Sequence, residues 1–158
     1  MKEIKLTQGK VALVDDEDFE RVNQFKWYAR KDSKSTTIFY AVRGAYKKCI
    51  LLHRFIMDLN DSKKKVDHIN HNGLDNRKNN LRACSSFENA RNRNISMHSK
   101  TGFKGVSFLT VKGKYLASIK INNKSIHIGL FNSPIEAAKA YNAKALELHK
   151  EFAYLNKV

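Results

Sequence analysis

The sequence predicts an α+β chain: a strand-rich opening, a ββα unit at its centre, and a small three-stranded antiparallel sheet packed on one helix at its end. Three observations carry that expectation. Apolar and polar residues alternate over several short runs. Turns rich in Asn, Asp and Gly separate those runs. Ser85 and Ser133 are each followed three residues later by Glu, the reciprocal capping pattern that opens a helix.

The opening run Gly9-Lys10-Val11-Ala12-Leu13-Val14 reads as a strand, ended by Asp15-Asp16-Glu17-Asp18. These carboxylates suit the first turn of a short helix carrying Phe19, Val22 and Phe25, because acidic side chains offset the positive helix N-terminus. A metal site is the weaker reading, since the cluster precedes an apolar period rather than other ligands. Residues 26–30 and 38–43 read as two strands joined by a polar loop. The stretch 50–57 is apolar and either helical or extended. Residues 66–69 and 81–84 are two short strands around a long Asn-rich turn, and the Ser85 box then starts a helix with Asn89 in its first turn. Residues 91–102 have little apolar period, and 96–102 serve as a linker. Three strands follow at 103–109, 115–122 and 125–131. Ala117, Ile119, Ile121, Ile126 and Ile128 fall on one face, with Ser118, Lys120, Asn122, Ser125 and His127 on the other. Ser133 and Pro134 then open a helix whose Ile135, Ala138, Tyr141, Ala145 and Leu148 recur at helical spacing. The expected organisation is a ββα core at 61–95 supported by 1–60, then the linker, then a separate sheet domain at 103–158.

Composition bounds the function. The chain has 158 residues with 30 Lys+Arg against 15 Asp+Glu, a net charge of +15, which points to an anionic partner. The surplus is spread out: 12 basic against 8 acidic residues up to position 60 (+4), 9 against 4 up to 100 (+5), and 9 against 3 thereafter (+6). This distribution suggests a long binding face assembled from all three segments rather than an isolated basic tail, and nucleic acid is the commonest partner of such a surface. Apolar residues at 42% are enough for packed cores. No apolar run is long enough to span a bilayer, and the start Met1-Lys2-Glu3-Ile4-Lys5 lacks an h-region, so the expected location is the cytoplasm, with no membrane partner. Cys49 and Cys84 alone supply neither a disulfide framework nor a zinc knuckle.

The centre carries the chemistry. Asp67 and His68 stand at the end of one strand of the ββα unit, with Asn89 on its helix. A carboxylate and an amide oxygen suit a hard ion such as Mg²⁺, with Mn²⁺ as the other option. An adjacent imidazole can take a proton from water attacking phosphorus. Taken singly, each residue is a surface hydrogen bond or part of a turn.

The run from Asp67 to Arg82 reads D-H-x-N-x-x-x-x-D-N-R-x-x-N-L-R. This segment resembles the core of HNH nucleases, and the resemblance implies their ββα-metal fold. Carried over by position, it makes Asp67 a metal ligand, His68 the general base, and Asn80 the residue whose amide oxygen holds the imidazole. Asn89 becomes the second metal ligand, giving an H-N-N variant of the kind seen in homing endonucleases. Asp75, Asn76 and Arg77 brace the loop, and His71 is a phosphate contact or faces solvent. The sequence does not place His53 and Arg54 relative to this set.

The words Gly102-Phe103-Lys104-Gly105-Val106, Gly113-Lys114-Tyr115-Leu116-Ala117, Ile128-Gly129-Leu130-Phe131, Glu136-Ala137-Ala138-Lys139-Ala140-Tyr141 and Leu155-Asn156 resemble the AP2/ERF DNA-binding domain. The likeness implies that Lys104, Gly105, Ser107, Lys120 and His127 face DNA. Arg91, Arg93 and Lys100 flank the linker and are expected to follow the duplex. Several positions that the AP2 family fills with Arg, Glu or Trp hold Ser107, Leu109, Ser118, Ser125 and His127, so its target sequence does not carry over. The expectation is a Mg²⁺-dependent DNA endonuclease of phage or intron-homing type, monomeric or weakly dimeric, with no small-molecule cofactor. The alternative is a non-catalytic AP2-type regulator that retains an HNH scaffold.

Overall fold

The computed structural model describes all residues except 34–36, 45–48, 93–94, 96–98 and 123. It divides into two compact units, Met1–Ser86 and Phe87–Val158.

The first unit opens with a hairpin of β1 (Lys2–Lys5) and β2 (Val11–Val14), paired Lys2 to Val14 and Lys5 to Val11. Gln8 and Gly9, with φ of 61° and 63°, supply the left-handed pair that tight hairpin turns require. The acidic cluster forms the start of α1 (Asp16–Asn23), as expected from its position before an apolar period. β3 (Tyr28–Lys31), β4 (Phe39–Arg43) and β5 (Ile50–Leu51) form a three-stranded antiparallel sheet in that order. The stretch at 50–57 is both extended and helical, because β5 runs directly into α2 (Leu52–Ile56). The antiparallel pair β6 (Lys65–His68) and β7 (Leu81–Cys84) follows, and α3 (Ser86–Arg91), next in the chain, belongs from Phe87 onward to the second unit. Ile4, Ala12, Val14, Val22, Trp27, Ala41, Leu52, Ile56 and Leu81 form one buried core, so the N-terminal elements and the motif strands share a hydrophobic interior.

In the second unit, β8 (Val106–Leu109), β9 (Lys114–Ile121) and β10 (Lys124–Phe131) form an antiparallel sheet with β9 in the middle. The expected first strand at 103–109 is shorter at its start. Gly105 takes φ of 73°, and a Cβ there would stand 2.2 Å from the Tyr141 ring. Helix α4 (Pro134–His149) packs on all three strands, with Ser133 Oγ accepting the Ile135 N–H at 3.2 Å. Its buried side is Ala137, Ala138, Tyr141, Ala145 and His149. Ala138, Tyr141 and Ala145 are buried as their spacing predicts, whereas Ile135, expected in the core, is exposed in the first turn. Among the described residues no helix is long and apolar enough to cross a membrane.

Candidate active site and nucleic-acid face

Pairing of β6 with β7 places Asp67 opposite Arg82 and His68 opposite Leu81. Asp67 and His68 are both buried. The Arg82 guanidinium grips one oxygen of Asp67, with Nε donating to Oδ2 at 2.9 Å and Nη2 at 2.6 Å. A charge-assisted fork of this kind supplies the counter-charge that a buried carboxylate needs. Burial pushes the His68 imidazole below its ordinary value, with the Asn76 side chain, Asp67 and Asp75 acting the other way. His68 is accordingly the neutral form at neutral pH.

The turn between the strands is a closed polar network. Asn70 Oδ1 accepts the Asn72 N–H at 2.9 Å, and Asn72 Oδ1 accepts the Leu74 N–H at 3.1 Å. Buried Asp75 receives Arg77 Nε at 2.8 Å, Arg77 Nη2 at 2.7 Å and Asn70 Nδ2 at 2.8 Å. The Arg77 bonds hold the Asp75 carboxyl below its usual range. Asp75 and Arg77 thus brace the loop, as the sequence suggests.

Asn80, expected to hold the imidazole through its amide oxygen, is buried just before β7. Its amide oxygen accepts the Asn70 N–H at 3.0 Å, while Nδ2 donates to Asn70 Oδ1 at 3.0 Å and to the Asp75 carbonyl at 2.8 Å. The side chain fastens the turn to the strand. The short 3-10 turn Lys78–Asn80, which leads into β7, points it inward. Two residues beside His68 lie outside the motif, Tyr40 from β4 and His53 from α2, while the third, Asn76, is one of its letters and is 1% exposed. The Arg82 partnership was available in principle, since pairing the two predicted strands sets opposite charges across from one another. His71, in the turn with φ of 63°, is half-buried.

The support comes from the N-terminal elements. Leu13 N–H donates to the Leu74 carbonyl and Asn76 N–H to the Leu13 carbonyl, each at 2.8 Å. Asp15 Oδ2 accepts the Lys78 N–H at 2.7 Å, and the Lys78 ammonium pairs with Glu17 at 2.6 Å and Asp18 at 3.2 Å.

No protein-family profile matches the chain. A protein of Acanthamoeba polyphaga mimivirus named as an uncharacterized HNH endonuclease is 33% identical to it over 156 residues, covering 96% of this chain and 77% of the relative. The chain belongs to the HNH endonuclease family. Within this HNH chain, the motif letters divide into Asp67 and His68, presented at a strand end, and the Asp75-Arg77-Asn80 network that shapes the turn.

The remaining sequence-derived residues lie in the second unit. Asn89 and Arg91 are half-buried on α3, Lys100 is exposed, and Arg93 lies outside the described residues. Ser107, Lys120 and His127 are exposed on the sheet face away from α4. Leu109, Leu116 and Leu130 share that face by register, so it is less polar than the alternation suggested. Lys104 and Gly105 also make contacts within the second unit. The Lys104 ammonium donates to the Arg91 carbonyl at 2.6 Å and lies 4.9 Å from the Tyr154 ring centre. Gly105 packs on Tyr141, so its role is steric. Asn156 clamps the Lys104 backbone at both ends, at 2.7 and 3.1 Å, which accounts for the terminal Leu-Asn word.

Proposed function

We propose that the chain is a metal-dependent endonuclease of homing type that hydrolyses phosphodiester bonds in duplex DNA. Residues 1–95 cut, and the sheet of β8, β9 and β10 holds the duplex as an AP2-like module. The observation that carries this reading is the adjacent, buried pair Asp67 and His68 on a braced strand end in an HNH-family chain of net charge +15.

The donor chemistry fits a hard divalent ion. Asp67 is a carboxylate, the hard oxygen donor that such an ion prefers, and the Arg82 fork holds it in place. Asp67 would hold the ion, with Mg²⁺ or Mn²⁺ as the choice, and Asn89 enters through the motif spacing. When bound, the ion supplies stabilisation of charge on the phosphate and the leaving oxygen. His68, neutral through burial, accepts the proton of the attacking water. The water oxygen bonds to phosphorus as the P–O bond to the leaving oxygen breaks, and that oxygen takes its proton from solvent. Arg82 and the Asp75-Arg77-Asn80 network keep Asp67 and His68 in place. Ser107, Lys120 and His127 are the proposed contacts of the sheet with DNA, in a groove wide enough to admit strands.

A plasmid relaxation assay with Mg²⁺ or Mn²⁺ tests the reading. Wild type is expected to convert supercoiled plasmid to nicked or linear product. His68→Ala and Asp67→Ala should lower the rate by about 10²- to 10⁴-fold while keeping duplex binding. Tight duplex binding by wild type with no product in either metal overturns the enzyme.

A further inference from the structure

Three rings from three elements meet at the end of β6: Tyr40 of β4, His53 of α2 and His68. The His53 and His68 centroids are 5.0 Å apart with planes at 90°, and Tyr40 lies 5.7 Å from His53 and 5.9 Å from His68. Edge-to-face contacts of this kind fix the direction of a ring as well as burying it. His68 needs such fixing, because rotation of an imidazole about its last bond is soft and roughly two-fold. The Asn80 amide is engaged by the turn.

His53 is an unusual side chain for its place. It is 6% exposed, and its Nδ1 is buried without a hydrogen-bond partner. A leucine or phenylalanine would fill the position without an unsatisfied polar atom, which is destabilising. Burial, followed by His68 and Arg54, pushes its imidazole down to about 3, so it stays uncharged at neutral pH. Behind it the packing is closed. A Cβ on Gly73 would stand 2.7 Å from two carbons of the Tyr40 ring and 2.4 Å from the Phe39 carbonyl oxygen, so the motif's own turn presses on Tyr40.

We infer that His53 is a positioning residue for His68: a neutral aromatic wall, backed by Tyr40 and by the turn at Gly73, that sets the orientation in which His68 meets the attacking water. The inference deepens the nuclease reading and rests on His68 being its general base.

The test uses the full chain and three readouts: plasmid nicking, duplex affinity, and nitrogen-resolved NMR of the His68 imidazole without DNA or metal. His53→Ala is expected to lower the cleavage rate at saturating duplex by about 10- to 100-fold, leave Kd within about twofold, and replace one His68 tautomer pattern by an averaged one. His53→Phe keeps a ring and removes the nitrogens, and should recover most of the rate and the ordered pattern. If His53→Phe cleaves as slowly as His53→Ala, the nitrogens rather than the ring are needed and the inference fails. Gly73→Ala approaches the same wall from the turn and covers the case in which His53→Ala does not fold. It should disturb the His68 signals while circular dichroism shows retained structure. His68 signals unchanged in the folded variants overturn the inference. An inactive wild type would sink the nuclease reading alone, since the imidazole spectrum needs no cleavage.

Discussion

At the level of single residues, the Asp67–Arg82 pair and the His53 ring make opposite kinds of contribution. Asp67 is a buried charge held by a partner, and removing one member of such a pair is far more destabilising than the pair is stabilising. Arg82→Ala should therefore lower the stability of the metal-free chain by roughly 3 kcal/mol. Mg²⁺ should restore part of the loss, as read by thermal melting with and without the ion. His53 is a buried base kept neutral. Its folded-state value near 3 lies below the unfolded 6.5, so its contribution to stability is fully present above pH 6.5 and is lost as pH falls towards 3. Melting temperature should fall across that window in wild type, and less steeply in His53→Phe; equal slopes would show that acid sensitivity comes from elsewhere.

Elements were largely legible where their determinants are local. The strand at 81–84 appears with the expected bounds, and Ser133 and Pro134 start α4 as their capping chemistry requires. Ser133→Ala should cost about 1 kcal/mol in a denaturant titration. Legibility failed where tertiary contacts decide. The segment Lys-Glu-Ile-Lys has one apolar residue and became β1 only because β2 pairs with it. Gly105 delays the start of β8 because Tyr141 occupies the space a side chain would need. Gly105→Ala combines that clash with a left-handed backbone, and its loss should far exceed the roughly 1 kcal/mol of the cap. Of the candidate site, Asp67 and His68 were readable from adjacency and spacing. Tyr40 and His53 were not, since no spacing rule relates them to His68 and only the packing of β4 and α2 brings their rings together.

On the scale of the whole molecule, a charge of +15 spread over both units predicts steep salt dependence of duplex binding. Replacing Lys120 by Ala should lower the logarithmic salt slope by about 1 if it contacts a phosphate, and an unchanged slope would remove it from the interface. The first unit depends on long-range closure. Leu13 exchanges backbone hydrogen bonds with Leu74 and Asn76, and Asp15 reaches Lys78, 63 residues away in sequence. The reactive turn is thus the late-closing end of a high-contact-order assembly, and its shape is inherited from a hairpin made long before it on the ribosome. A peptide cut to the motif alone would lack the edge on which that turn is moulded. The smallest fragment able to present Asp67 and His68 must therefore reach back to β2, however self-sufficient the motif looks when written as letters.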